Sequence, residues 1–485
     1  MSYINILHAL GWLLVILAAA MCLPVVSAIA YEEHLALSGF LTGVMLTAFC
    51  GGGLVLLFRE ARQALSNADQ LLLVSIMWIV IAVFAAWPIS QSLALPHGGH
   101  AIFEALSGIT TTGFTLIEHL DEVPRSVILW RALLQWLGGV ISIVAIAAVL
   151  APQKIAGLEL RLTPLARGEN VNALHRLGST TREVFNLMAI LTVACFFAIW
   201  ASGVPAFDAF CLSLSTLSTG GFTPRDAGIS AYNAPYAQFW MVIFMLLGAM
   251  SFTMHRQITR AGIREAGRDP ELIYLLSVFL IAGAILSCWF LLQSDVKGLS
   301  ALTGGYFMAA SMLSTSGFVP AGFENVEISP VVITGLALLG GATMSTAGGI
   351  KLMRLALLLK QSSRELARLA HPSGIIPSQF GGRAFTIQTM KTVWAFFVAY
   401  IVVLGLVALA VSLTEVDAAH SIIAAVAALT NVGPLYDMVT LNVEHGQSVR
   451  EFHGGALWAI SVAMVLGRVE LIAVLCVLSL NFWRR

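Results

Sequence analysis

Thr110-Thr111-Thr112-Gly113-Phe114-Thr115 is a turn of small polar residues, a glycine and an aromatic, and it recurs along the chain. It returns as Ser218-Thr219-Gly220-Gly221-Phe222-Thr223 and as Ser314-Thr315-Ser316-Gly317-Phe318-Val319. A looser fourth copy reads Thr430-Asn431-Val432-Gly433-Pro434-Leu435. The shared glycines Gly113, Gly221, Gly317 and Gly433 are 108, 96 and 116 residues apart. Before each turn stands an apolar stretch, at 100–109, 207–217, 301–313 and 418–429. A helix over such a stretch, at 1.5 Å per residue, reaches about 16 Å, half of a ~30 Å hydrocarbon core. The helix expected after each turn carries a second repeat: Leu137-Gly138-Gly139, Leu247-Gly248-Ala249, Leu339-Gly340-Gly341 and Leu466-Gly467-Arg468. Four matching pairs at matching offsets predict one unit used four times: span, half-helix, loop, span.

The surrounding sequence fixes the class. Of 485 residues, 58% are hydrophobic and 11% charged, with a mean hydropathy of +0.87. Soluble chains carry about 25% charged residues, so a cytosolic enzyme, a disordered chain and a nucleic-acid binder are excluded. The 26 basic and 26 acidic residues balance. Ten apolar runs are long enough to span, at 5–30, 36–58, 70–94, 127–150, 184–204, 236–256, 271–293, 329–358, 386–413 and 453–480. The expected fold is an all-α polytopic membrane protein: ten transmembrane helices, four re-entrant pore half-helices and four pseudo-repeats around one central pore. Its segments are two leading helices (1–66), then units at 67–155, 156–268, 269–372 and 373–485.

Lys and Arg near the span ends set the orientation. Twenty lie on one side, among them Arg59, Arg62, Lys154, Arg161, Arg167, Lys351, Arg354, Arg484 and Arg485. Five lie on the other: Arg125, Arg131, Arg225, Lys297 and Arg450. Both termini are therefore expected in the cytoplasm. Acidic residues cluster outside, at Asp121/Glu122, Glu324/Glu327 and Glu415/Asp417. They either simply tolerate the outer face or form a mouth that concentrates cations.

The turns suit an ion filter. Irregular backbone at membrane depth is tolerated only where protein buries it or where it lines water. Four such loops meeting on one axis can replace a cation's hydration shell with carbonyl oxygens. Glycine allows the backbone angles this needs, and Thr or Ser hydroxyls add ligands. A half-helix running inward presents its partly negative end to the pore, which favours a cation. The expected ion-binding residues are Thr111, Thr112, Gly113, Thr219, Gly220, Gly221, Thr315, Ser316, Gly317, Asn431, Val432 and Gly433. The phenylalanines after the glycines are expected to pack behind the loops. No turn carries a carboxylate, which argues against a divalent-selective filter.

The eighth run holds Gly340-Gly341-Ala342-Thr343-Met344-Ser345-Thr346-Ala347-Gly348-Gly349. Two glycine pairs there predict a broken helix, read either as a kink near a helix end or as a loop crossing the pore beneath the filter. Its candidate gate residues are Gly340, Gly341, Thr343, Ser345, Thr346, Gly348 and Gly349. Arg468 is expected to be the sole basic residue deep in a span, which marks function or an interhelical ion pair. Glu470, two residues on, does not share its helix face, so loop carbonyls at 343–348 are its expected partners.

These motifs together resemble the Trk/Ktr/HKT superfamily of potassium transporters, and most of all the bacterial Trk-type (TrkH-like) membrane subunit. The resemblance covers essentially the whole chain. It implies potassium uptake across the bacterial inner membrane, with potassium bound at the filter residues and Gly113 in the position that goes with potassium selectivity. It also implies an intramembrane gating loop contacted by an arginine such as Arg468. A homodimer and a cytosolic nucleotide-binding Trk regulatory subunit are the partners it implies. The fourth turn departs most from the family pattern, with Pro434 where the others have Phe. Sodium- or proton-coupled symport remains an alternative and would need an intramembrane carboxylate, for which Glu470 is the candidate. A less selective monovalent-cation pathway is a second alternative. No phosphate-binding glycine motif and no cluster of His, Asp or Glu suited to catalysis is present, so an enzyme is not expected, nor a nucleotide on this chain.

Overall fold

The computed structural model describes residues 3–60, 65–93, 95, 98–151, 173–293, 298–324, 326, 328–371, 379–380, 383–384, 386–440 and 447–483. Arg62, Lys154, Arg161, Arg167, Lys297, Glu327, Arg484 and Arg485 lie outside the described residues.

The chain opens with a helical hairpin, α1 (Tyr3–Ala30) and α2 (His34–Leu57). Gly11 and Gly51 let the two backbones touch: a Cβ on Gly11 would lie 3.0 Å from the Gly51 carbonyl, and the reverse distance is also 3.0 Å. Such small-residue contacts are how helices associate where burial drives nothing. α3 (Asn67–Ser92) begins with a capping box, in which Ser66 Oγ accepts from Asp69 N and Asp69 Oδ2 accepts from Ser66 N. The short α4 (Gly98–Ile109) and α5 (Arg125–Val144) follow, α5 running on as a π-helical turn over Ala145–Leu150. Glu33, in the α1–α2 turn, accepts from Arg125 N and Ser126 N and so satisfies two orphan donors of α5.

Next come α6 (Ala173–Ala201), the short α7 (Ala206–Ser218), α8 (Pro235–Ala249), α9 (Phe252–Ala261) and α10 (Ile263–Ala266). α11 (Pro270–Gln293), the short α12 (Leu299–Leu313), α13 (Pro330–Leu339) and α14 (Leu352–Ala370) form the third quarter. A two-residue antiparallel pair, β1 (Gln379–Phe380) with β2 (Arg383–Ala384), is a small exception to the helical character of the described residues. α15 (Ile387–Ser412), the short α16 (Ala418–Thr430), α17 (Pro434–Thr440), α18 (Gly454–Val469), α19 (Leu471–Leu478) and α20 (Leu480–Trp483) complete it.

Among the described residues, seven helices are long and apolar enough to cross a membrane: α1, α2, α3, α5 with its extension, α6, α11 and α15. Two of the expected straight spans are bent. α8 and α9 meet at 98°, α18 and α19 at 108°, so the count reaches nine only if each pair is one span. The expected span at 329–358 is not one helix either. α13 stops after ten residues, and 340–351 is irregular before α14 begins. Gly340, at φ +66, takes the chain out of the helix where a side chain would resist.

α5 is central and α2 peripheral: 78% of the α5 spanning window is buried, against 22% for α2. Phe49 and Leu57 on α2 are 81% and 77% exposed, a surface suited to lipid rather than water.

Candidate ion filter and gate

The four short helices α4, α7, α12 and α16 end alike. Thr111, Thr219, Thr315 and Asn431 adopt left-handed backbone at φ 54 to 62. Two residues on, Gly113, Gly221 and Gly317 do so again, at φ 87, 84 and 76. Gly433 is not left-handed, contrary to what its place in the repeat implies. Pro434 accounts for this, because a residue before proline is pushed towards extended backbone. Gly433 is needed for space instead, since a Cβ there would lie 2.2 Å from Phe114 N.

The loops close into a ring in chain order. A Cβ on Gly113 would meet the Gly220 carbonyl at 2.3 Å, and one on Gly221 would meet the Ser316 carbonyl at 2.0 Å. One on Gly317 would meet Pro434 Cδ at 2.9 Å. The fourth loop returns to the first: Gly433 N donates to Thr112 O, and Asn431 Nδ2 donates to Thr112 Oγ1 at 2.9 Å. Pro434 also stands close to the other two glycines, 3.1 Å from a Cβ on Gly113 and 3.2 Å from one on Gly221. All twelve sequence-predicted filter residues therefore belong to one contiguous cluster. Phe114, Phe222 and Phe318 are buried; in the fourth loop Pro434 takes the corresponding sequence position, and Leu435 after it is buried.

The Leu-Gly repeat has a steric job. Cβ atoms on Gly138, Gly248 and Gly467 would lie 1.8, 2.8 and 2.3 Å from the carbonyls of Ile109, Leu217 and Leu429. Each of those carbonyls belongs to the residue two before the left-handed Thr or Asn, so the same close approach is built three times. In the third unit Gly340 faces Gly348 O instead, because the helix has ended.

The loop 340–351 lies directly against this ring. Thr346 Oγ1 donates to the Leu217 carbonyl at 3.1 Å, and Gly348 N donates to Thr315 Oγ1 at 2.8 Å. A Cβ on Gly348 would lie 2.0 Å from the Thr430 carbonyl. The loop also satisfies the broken end of α8. Ala342 N donates to Ala249 O, Thr346 N to Gly248 O, and Phe252 N to Met344 O. Helix ends leave carbonyls that must be met somewhere, and here the loop meets two of them. Within the loop, Ser345 Oγ donates to Ala342 O, and Gly349 (φ +75) packs against the Gly340 backbone. Thr343 N is held by Glu271 Oε1, at the start of α11, at 2.6 Å.

Arg468 ends α18 beside the bend. Its Nη1 donates to Thr346 O at 2.7 Å and its Nε to Ser142 Oγ at 2.6 Å, while Nη2 has no hydrogen-bond partner among the described residues. Glu470 sits at the bend itself with φ +70 and pairs with Arg354 at 2.6 Å. Arg354 also stacks over Phe396, 4.0 Å from the ring centroid. A cavity of about 20 Å³, room for roughly one water, lies between the loop and these charges.

Arg468 is not the sole deeply buried basic residue. Arg131, Lys351 and Arg354 are 1%, 5% and 1% exposed. Sequence position near a span end had assigned all three to the flanks. Arg131 is paired with Glu104, and Lys351 Nζ donates to Ala347 O. Gln135, Glu104, Glu271, Lys351 and Arg354 were not picked out from sequence. A polar residue inside an apolar run is the signal that would have found Gln135 and Glu104. The acids expected on the outer face are partly engaged within the fold. Asp121 pairs with Arg225 at 3.2 Å, Asp417 caps α16 through Ala419 N, and Glu324 accepts from Ser230 Oγ and Gly322 N.

The sequence profile of the TrkH family, described as "Cation transport protein", matches residues 36–268 and 272–482. The chain belongs to the TrkH family of cation transport proteins. It is 31% identical over 493 residues to the Trk system potassium uptake protein TrkH of Salmonella typhimurium, covering all of both chains. It is 30% identical to the Trk system potassium uptake protein TrkG of Escherichia coli, over 98% of each chain. The crystal structure of the potassium transporter TrkH from Vibrio parahaemolyticus superposes with a TM-score of 0.88 at 29% identity, covering 100% of each chain. TrkH-family proteins are transporters rather than enzymes, and the apolar helices make this one a multi-pass membrane protein.

Proposed function

We propose that this TrkH-family protein takes up potassium through a filter formed by the ring of four loops, closed from beneath by 340–351. The observation that carries the reading is the ring itself: four helix ends of one design, each glycine abutting the next loop, with the fourth loop bonded back to the first. Full-length relatives named as potassium uptake proteins support potassium as the cargo. In this reading α4, α7, α12 and α16 are re-entrant half-helices, and the bent and broken helices complete ten crossings in four pseudo-repeats. Potassium binds through backbone carbonyls and hydroxyls of the loops, which stand in for its hydration shell. The loop 340–351 fills the path below, and Arg468 both holds it at Thr346 O and repels cations. The protein resides in the bacterial inner membrane with both termini cytoplasmic. It works as a homodimer with a cytosolic regulatory subunit that binds the nucleotide.

Coupled symport gains nothing from the geometry, since the carboxylate it would need, Glu470, is engaged by Arg354. Weaker selectivity has one observation in its favour, the fourth loop, where Gly433 and Pro434 break the repeat. The test is ⁸⁶Rb⁺ uptake into liposomes holding purified protein, competed separately by potassium, sodium and lithium. Competition by potassium alone, relaxed in Gly113→Ser, is expected. Equal competition by sodium would replace the potassium filter with a general monovalent-cation pathway.

A further inference from the structure

The four helices that follow the filter loops differ at two buried positions. Three and seven residues before the Leu-Gly glycine, α5 carries Gln135 and Arg131. The equivalents are Met245 and Met241 on α8, Ala337 and Ile333 on α13, and Met464 and Ile460 on α18. All eight side chains are buried. Only α5 places polar groups there, and a buried polar group is costly unless it is bonded.

Gln135 makes three hydrogen bonds to the second unit, two of them to its loop. Its Nε2 donates to the Gly220 carbonyl at 2.7 Å. Its Oε1 accepts from Ser215 Oγ at 2.8 Å and from Phe222 N at 3.3 Å. The amide thus grips the backbone on both sides of Gly221, the left-handed residue of the second loop. One turn away, Arg131 Nε donates to Glu104 Oε1 at 2.7 Å, and the guanidinium lies 4.0 Å from the Phe222 ring centroid. Glu104 in turn accepts from Leu116 N and Thr115 Oγ1, just past the first loop.

We propose that Gln135 is a selectivity-positioning residue: from the first unit it fixes the orientation of the Gly220–Phe222 backbone in the second unit's loop. This rests on the filter reading above. It goes further in placing the rigid side of the ring at the junction of the first and second loops, held by polar bonds from α5. The other junctions are held by backbone contact, by the Pro434 ring and, between the fourth and first loops, by the Asn431 amide on Thr112, with no side chain among the described residues reaching in from the helix that follows. A filter discriminates cations by where its carbonyls stand, so releasing the amide lets the second loop adapt to a smaller ion.

The test uses full-length protein in liposomes and reads the ratio of half-inhibiting sodium to potassium concentrations for ⁸⁶Rb⁺ uptake. Gln135→Met installs the residue found at the equivalent place on α8 and α18. It is expected to lower the ratio at least tenfold. Gln135→Glu keeps the volume and the acceptor for Phe222 N but loses the donor to Gly220 O, and it is expected to lower the ratio as well. Met245→Leu, the matching change on α8, is expected to leave the ratio as it was. Thermal midpoints in detergent accompany each variant, because a merely structural role moves the midpoint and not the ratio. A folded Gln135→Met or Gln135→Glu protein with the parental ratio overturns the proposal, as does failure of both variants to fold. If Gly113→Ser abolishes discrimination while both Gln135 variants retain it, only this proposal fails. If the parent itself does not discriminate, the filter reading fails with it.

Discussion

α5 and its three counterparts are built differently although each follows one of the four ring loops. α5 passes the first loop unbroken, and Gly138 lies against Ile109 O while Arg131 and Gln135 reach sideways. α8, α13 and α18 stop or bend within three residues of the Leu-Gly glycine, at Met250, Gly340 and Glu470. Where a helix stops, its orphan groups must be met from elsewhere. At α8 they are met by the loop 340–351, and at α18 Arg468 holds that same loop. The continuous helix therefore grips the ring with its own side chains, whereas the broken ones meet at the loop 340–351.

The sharpest way to break this contrast is the buried pair at the α18–α19 bend. Arg354→Ala leaves Glu470 buried without its arginine, and a loss of about 3–5 kcal/mol is expected. Arg354→Met combined with Glu470→Leu should recover most of it. Thermal unfolding in detergent measures both, and a double variant as weak as the single one would refute the pairing argument. Arg468→Ala removes two bonds from a charged donor, each worth roughly 1.5–3 kcal/mol. Resting ⁸⁶Rb⁺ leak should rise at least tenfold, and an unchanged leak in a stable variant would remove Arg468 from the gate. Gly138→Ala presses a methyl against a backbone carbonyl, whereas Gly248→Ala has 1.0 Å more room (2.8 against 1.8 Å). Overpacking costs about 1–3 kcal/mol, with Gly138→Ala at the upper end and Gly248→Ala at the lower. Equal midpoints for the two would deny that α5 sits tightest. Ser142→Ala is the mildest change. It removes only the Nε partner of Arg468, one of its two bonds, and should raise leak less than Arg468→Ala does.

The four short helices were legible because each combines a short apolar run with a polar turn. Stretches read at 100–109, 207–217, 301–313 and 418–429 are helices over Gly98–Ile109, Ala206–Ser218, Leu299–Leu313 and Ala418–Thr430. The break at Gly340 was legible for a similar reason, since glycine pairs announce it. The bends at Met250 and Glu470 were not. Neither carries Gly or Pro at the break, and hydropathy continues across both. Their cause is tertiary: backbone groups released by the bend at α8 find partners in the loop 340–351, nearly a hundred residues away. Arg131, Arg354 and Lys351 were misplaced for the same reason. A charge near a span end reads as solvated, and only the fold shows Glu104, Glu470 and the Ala347 carbonyl waiting for them. The fourth loop was legible in its glycine but not in its conformation, because Pro434 acts on the residue before it.

The loop 340–351 is fastened to elements other than its own α13 through four of its amides: Ala342, Thr343, Thr346 and Gly348 donate to Ala249 O, Glu271 Oε1, Gly248 O and Thr315 Oγ1. A fifth, Phe252 N, donates back to Met344 O. Buried amides take up deuterium only when their bonds open, so these five act as a built-in clock. If the loop lifts as one body, all five share one opening free energy, which hydrogen exchange reads without an ion having to cross.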